Sequence, residues 1–253
     1  MIRSFKCLLI FSLILSCNEH HSKSNKNDNN VKNKPNEDSA FTELHVMDSL
    51  KLPTGFYLDT IYKFDKKRNA EIQIILPNSI AKTNYDSEIT IYFKKKVHEF
   101  IVSQDQINGN SSMSNSMQSS FVVRPICVYK DLNLLSYCFL ISNDLGMAHP
   151  VDEYYSFNFD LKKKKRIFFF DLFKFKSKSD SVFLFSNIRD AIYKANPDVD
   201  KEFIEFRKLY NIDFNVEQDS ISFNFDDYEI GDYGLGIIRA KVSKKKLAGI
   251  TVD

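Results

Sequence analysis

The sequence predicts an α+β fold, antiparallel sheets with several packed helices, and not a doubly wound parallel sheet. Three observations carry this expectation. Short β-rich runs occur in neighbouring pairs joined by brief polar turns. Apolar residues at helical spacing occur in only a few segments. The two patterns do not alternate regularly along the chain, as a parallel sheet with crossover helices would require. The composition suits a packed core: of 253 residues, 43% are hydrophobic and 27% charged, with 23 Phe, 12 Tyr and no Trp. With 35 Lys and Arg against 33 Asp and Glu there is no basic footprint for nucleic acid.

Residues 1–16 read as an export signal. Arg3 and Lys6 precede a short apolar stretch, Cys7 to Leu15, too short for an ordinary membrane span. The stretch closes on Ile14-Leu15-Ser16-Cys17, which resembles the bacterial lipobox. That resemblance implies cleavage before Cys17, lipidation of Cys17 and attachment to a membrane through the lipid. No acidic run resembling a surface-export signal follows Cys17, so a periplasm-facing position on the outer membrane is expected. The other reading is an ordinary signal peptide with an incidental cysteine. Residues 17–45 are rich in Asn, Lys and Ser and nearly free of apolar side chains, so they read as a disordered tether that includes His20 and His21.

The folded part is expected in two units, a small α+β subdomain over 46–120 and a larger α+β domain over 121–253. Phe56 to Phe64 and Ala70 to Leu76 alternate as strands, with Pro77 ending the second. Ser87 to Val102 carries helical spacing. Asn108 to Ser120 is Ser/Asn-rich and reads as a loop containing Met113 and Met117. Phe121 to Tyr129 and Leu134 to Ile141 form a hairpin around Lys130 to Asn133. Tyr154 to Leu161 and Arg166 to Phe170 form a second, with Lys162 to Lys165 at its tip. Those lysines read as a solvated turn that also blunts edge pairing; a phosphate or glycan patch is the functional alternative.

Ser181 to Lys194 is an amphipathic helix with Leu184, Phe185, Ile188, Ala191 and Ile192 on one face and Asp180 as its cap. A further helix is expected over Asp198 to Leu209. Asp213 to Val216, Ile221 to Phe225 and Ile237 to Val242 read as the closing strands.

Candidate chemistry is sparse. A turn centred on Leu132 and Asn133 sets Cys127 opposite Cys138, which allows either a disulfide in an oxidising compartment or two buried thiols. Asp144, His149 and Asp152 are the one His/carboxylate neighbourhood suited to acid–base work. It offers too few ligands for a metal site, and no cofactor motif is present. Its bland reading is a turn whose polar groups satisfy backbone. The stretch Asp226-Asp227-Tyr228-Glu229-Ile230-Gly231-Asp232-Tyr233 is acidic and aromatic, and Asp226, Asp227, Tyr228, Asp232 and Tyr233 are candidates for meeting a basic protein.

The succession LLSYCFLISNDLGMAHP, YYSFNFDL, a basic turn and FFFDLF resembles the exported domain of RsiV-type anti-sigma factors, which also occurs beside PdaC-type peptidoglycan deacetylase domains. The matching positions are Ser136, Gly146 to His149, Asn158 to Leu161 and Asp171 to Phe173, and Phe214 to Gly236 resembles the closing strand pair with its loop. Met147 and Gly231-Asp232 depart from the pattern. The resemblance implies a binding module of the cell envelope that recognises a lysozyme-like protein or cell-wall glycan. It implies no deacetylase activity, because that catalytic domain is missing. The alternative is an envelope hydrolase or transferase using His149 with Asp144 or Asp152.

Overall fold

The computed structural model describes residues 50–110, 118–146, 149–197, 199, 212–230 and 236–251. The export segment, Cys17, the tether, Met113, Met117 and most of the helix expected over 198–209 lie outside the described residues, as do Asp232 and Tyr233.

Strand β1 (Phe56–Asp65) pairs antiparallel with β2 (Ala70–Ser79). Helix α1 (Asn84–Asn110) then crosses over to β3 (Ser119–Lys130), which runs parallel to β2. Antiparallel β4 (Leu134–Asp144), β5 (Val151–Asp160) and the two-residue β6 (Lys165–Arg166) complete a mixed sheet in the order β1-β2-β3-β4-β5-β6. Helices α2 (Phe169–Leu172) and α3 (Lys178–Ala195) lead to a three-stranded antiparallel sheet of β7 (Asp213–Val216), β8 (Ser220–Phe225) and β9 (Ile238–Ser243), followed by α4 (Lys244–Leu247). The fold class is α+β. No helix among the described residues is long and apolar enough to cross a membrane.

Two aromatic-rich cores result. Over the first sheet, α1 lays down Ile89, Phe93 and Phe100. Phe93 meets Phe139 at 4.8 Å between ring centroids, and Tyr92 stacks on Tyr155 at 4.0 Å. Over the second sheet, Leu184, Ile188 and Ile192 of α3 are fully buried at the expected spacing, with Phe185 and Ala191 packed beside them. The packing does not divide at residue 120. Ile74 of β2 pairs with Val123 of β3, and one core runs from Ala70 to Phe159.

Several elements depart from expectation for local reasons. Pro77 lies inside β2, opposite Leu58; the parallel pairing to β3 ends at Ile74, so the missing N–H falls where only β1 is paired. Helix α1 starts three residues early because the Asp86 carboxylate accepts from Thr83 N at 2.7 Å and from Ser79 Oγ at 2.8 Å, satisfying its first turn. It runs past the expected end at Val102, where Arg68 of the β1–β2 turn pairs with Asp105 at 2.8 Å, and reaches Asn110 at the start of the segment read as a loop. The second hairpin is truncated: Asp171 accepts from Phe168 N at 3.0 Å and winds the Phe run into α2, so that Phe169 and Phe173 enter the core four residues apart. Asp180 lies within α3 and accepts from the amides of Lys176 and Ser177, while Ser177 is the cap.

The two sheets meet along a polar seam. Ser136 Oγ donates to Asn158 Oδ1 at 2.6 Å and accepts from Val216 N at 2.9 Å, and Asn158 Nδ2 donates to Phe214 O at 2.7 Å. Two residues that carry the family resemblance, Ser136 and Asn158, therefore pin β7 onto β4 and β5. Their conversion to apolar residues would strand buried partners.

Candidate functional site

A groove of about 960 Å³ lies between the Lys162–Lys165 turn, α2 and α4. Each wall has a sequence cause. At the turn, Asp160 accepts from Lys163 N at 2.8 Å and Lys164 adopts a left-handed φ of 53°, which throws the lysine side chains outward. In α2 the inward Phe169 and Phe173 leave Phe170 about half exposed on the groove. In α4 the fully buried Leu247 leaves Lys244 and Lys245 on the groove side. Lys174 N donates to Ile250 O at 2.8 Å, tying the last described residues to the α2 wall.

Lys162, Lys163, Lys165, Lys174, Lys244 and Lys245 line this groove against Asp131, Asp160 and Asp171. The carboxylates are turned to the backbone. Asp131 accepts from Asn133 N and Leu134 N, and Asp171 is held below the usual carboxylate range first by the Phe168 amide and then by Lys165. The Lys163 amide does the same for Asp160. Lys163 and Lys165 contact Asp160 and Asp171 at 3.4 and 3.0 Å. Lys162, Lys174 and Lys245 have no ion-pair partner among the described residues. Lys244 sits over the Tyr129 ring at 4.9 Å, and burial lowers its pKa. Leu134, Ile167, Val216 and Ile221 supply an apolar floor. Excess cations around an apolar floor suit an extended anion with apolar faces.

The acidic stretch does other work. Strand β5 beyond β6 presents an open edge, and its successive outward amides are each met by a carboxylate. Asp152 N donates to Asp227 Oδ2 at 2.9 Å, Tyr154 N to Asp226 Oδ1 at 2.7 Å and Ser156 N to Asp213 Oδ1 at 2.9 Å. Asp226 and Asp227 are only partly exposed, whereas Tyr228 is 62% exposed. Burial pushes Asp226 up to about 7, and it raises Asp152 and Asp213 as well. The expectation of an outward acidic face is corrected for Asp226 and Asp227: their carboxylates close a sheet edge.

Of the His-centred group, His149 is exposed, Asp144 accepts from Gly146 N at 2.8 Å and Asp152 lies against Asp227 at the β5 edge. None of the three lines the groove. No cluster of three or more His, Cys, Asp or Glu that could hold a metal ion occurs among the described residues. Cys127 and Cys138 are directly opposed in the β3–β4 register, beside a bulge at Ile126, and both are free thiols. Burial raises both thiols, which disfavours the nucleophilic thiolate. Beside them Arg239 donates to Glu217 at 2.7 Å; burial pushes Glu217 up, but Lys241, Ser222 and Arg239 together hold it below its ordinary value.

Sequence reading missed the groove as a unit, because its lysines come from three separated segments. The seam had a signal: Asn215, Ser222 and Asn224 recur among otherwise apolar strand residues, and all three are buried.

Neither a protein-family model nor a curated protein matches the chain. Among solved structures, a DUF3298 family protein from Pseudomonas aeruginosa PAO1 is similar over 80% of this chain and 95% of its own, with a TM-score of 0.57 and 15% identity. A DUF3298 family member from Bacteroides fragilis NCTC 9343 is similar over 80% of this chain and 96% of its own, with a TM-score of 0.52 and 16% identity. The likeness is one of fold.

Proposed function

We propose that this protein is a binding module of the bacterial cell envelope, held to the membrane through lipid on Cys17, and that its groove takes anionic cell-wall glycan. The observation that carries this reading is the excess of lysine around an apolar floor, with the groove's own carboxylates committed to backbone amides. Cell-wall glycan presents carboxylates along a chain whose sugar rings have apolar faces, the complement of such a surface. The DUF3298 fold supports the resemblance to the RsiV-type exported domain, which lies in that family and is an envelope domain. Glycan is favoured over a lysozyme-like protein because Asp226 and Asp227 are engaged with β5.

Titration of muramyl-peptide glycan fragments into the full chain in detergent tests this. Binding should weaken as salt rises and fall about fivefold or more when Lys162 and Lys245 are both changed to Ala. A neutral glycan of equal length should bind more weakly. Binding indifferent to salt and to both lysines would sink the groove assignment. Salt-sensitive binding of lysozyme alone would move the function to another face and restore the protein partner.

A further inference from the structure

We propose that β1 is a self-association edge, on which a second copy of this chain adds its own β1 antiparallel to form one continuous sheet across a twofold axis. The inference is independent of the glycan reading.

The two edges of the large sheet are treated differently. The β5 edge is closed by three aspartates and the lysine turn. The β1 edge carries no such device. Its ten residues pair with β2 in unbroken register, without bulge or proline, and no strand pairs with its outer side among the described residues. Tyr57, Leu58, Ile61, Tyr62 and Phe64 are 36–60% exposed, spread over both faces. A long edge in unbroken register with this many exposed apolar side chains is a template for another strand.

The sequence of β1 selects its own partner. Ile80 N donates to Gly55 O at 2.9 Å and continues the β1–β2 ladder. Odd-numbered residues of β1 therefore spend their backbone groups on β2, and the even-numbered ones point them outward. Antiparallel self-pairing must then match even with even. One such register sets Ile61 against Ile61 on the axis, Leu58 against Phe64 and Thr60 against Tyr62. It also sets Asp59 against Lys63 twice, in the non-hydrogen-bonded positions where side chains approach most closely. Sliding one way by the next allowed step opposes Asp59 to Asp65; sliding the other way opposes Lys63 to Tyr57. Charge complementarity thus singles out one pairing. Asp59 is exposed and among the described residues makes only a 3.4 Å contact from Asn78 Nδ2, which leaves it available to a second chain.

Sedimentation of the full chain in detergent across a wide concentration range provides the test, with charge-swapped variants. The expected result is a reversible dimer. Asp59→Lys should weaken it about tenfold by setting lysine against lysine, and adding Lys63→Asp should restore it. Hydrogen exchange should show the amides of Leu58, Thr60, Tyr62 and Phe64 slowing as protein concentration rises. A monomer at every concentration overturns the proposal. If those amides are then slow regardless of concentration, residues 1–49 of the same chain occupy the edge; if they are fast, the edge is unoccupied. A dimer indifferent to both charge variants overturns it equally, by placing the interface elsewhere.

Discussion

Replacing Asp213 with alanine should destabilise the protein by about 3–5 kcal/mol, read as a lowered denaturation midpoint in urea with little change in slope. Asp213 stands at the centre of the seam. Its carboxylate accepts from Ser156 N at 2.9 Å, Ser156 Oγ at 2.7 Å and Asn224 Nδ2 at 2.9 Å. Removing it strands a backbone amide on β5 and unbalances Asn224, which also reaches Ser156 Oγ and Asn215 Oδ1. Asp213→Asn should cost less, because one amide oxygen still accepts from Ser156 N, but its own N–H₂ then faces the Asn224 donor. Equal stability of the alanine variant and the wild type would show that the seam does not hold the sheets together.

The second large effect is a stability maximum on the acid side of neutrality. Asp226 is pushed from 3.8 up to about 7, chiefly by burial, and Asp152 and Asp213 are raised for the same reason. Between about pH 4 and 7 the folded chain therefore holds more protons than the unfolded chain, so stability rises as pH falls through this window. Asp131, Asp160, Asp171 and Glu217 are held low and act oppositely: their contribution is present above the unfolded values and lost as pH falls through the folded ones. The maximum should therefore lie on the acid side of neutrality, below the Asp226 value of about 7.

Asp226→Asn keeps an acceptor for Tyr154 N without the desolvated charge. It should flatten the slope between pH 5 and 8 and raise stability at pH 8 by on the order of 1–2 kcal/mol. Asp226→Ala should be less stable than the asparagine variant by about 1–3 kcal/mol, because the Tyr154 amide loses its partner. A pH–stability curve of Asp226→Asn parallel to that of the wild type would show that Asp226 is solvated and free to face a ligand.

The β3–β4 register and the inward face of α3 were legible because both depend on local periodicity. A turn at Leu132 and Asn133 leaves little choice for Cys127 and Cys138, and Leu184, Ile188 and Ile192 recur on one helix face. Phe168 to Phe170 were misread as the end of a strand because aromatic residues favour strands in general, while the Asp171–Phe168 hydrogen bond opens a helical turn there. The division at residue 120 was misplaced because composition marks polar stretches and cannot show which strands pair across them.

Chain order and side-chain periodicity alone determined the α+β class, the paired strands and the packing face of α3, since each requires only contacts among near neighbours. The meaning of the charges was decided by tertiary structure. Asp226 and Asp227 read as an acidic patch until folding set them against the open amides of β5, more than seventy residues away in the chain. Lys162 read as part of a solvated turn until the fold brought it together with Lys174 and Lys245 on one groove. A charge acquires its role from what lies within a few ångströms of it, and in this chain those neighbours come from distant sequence.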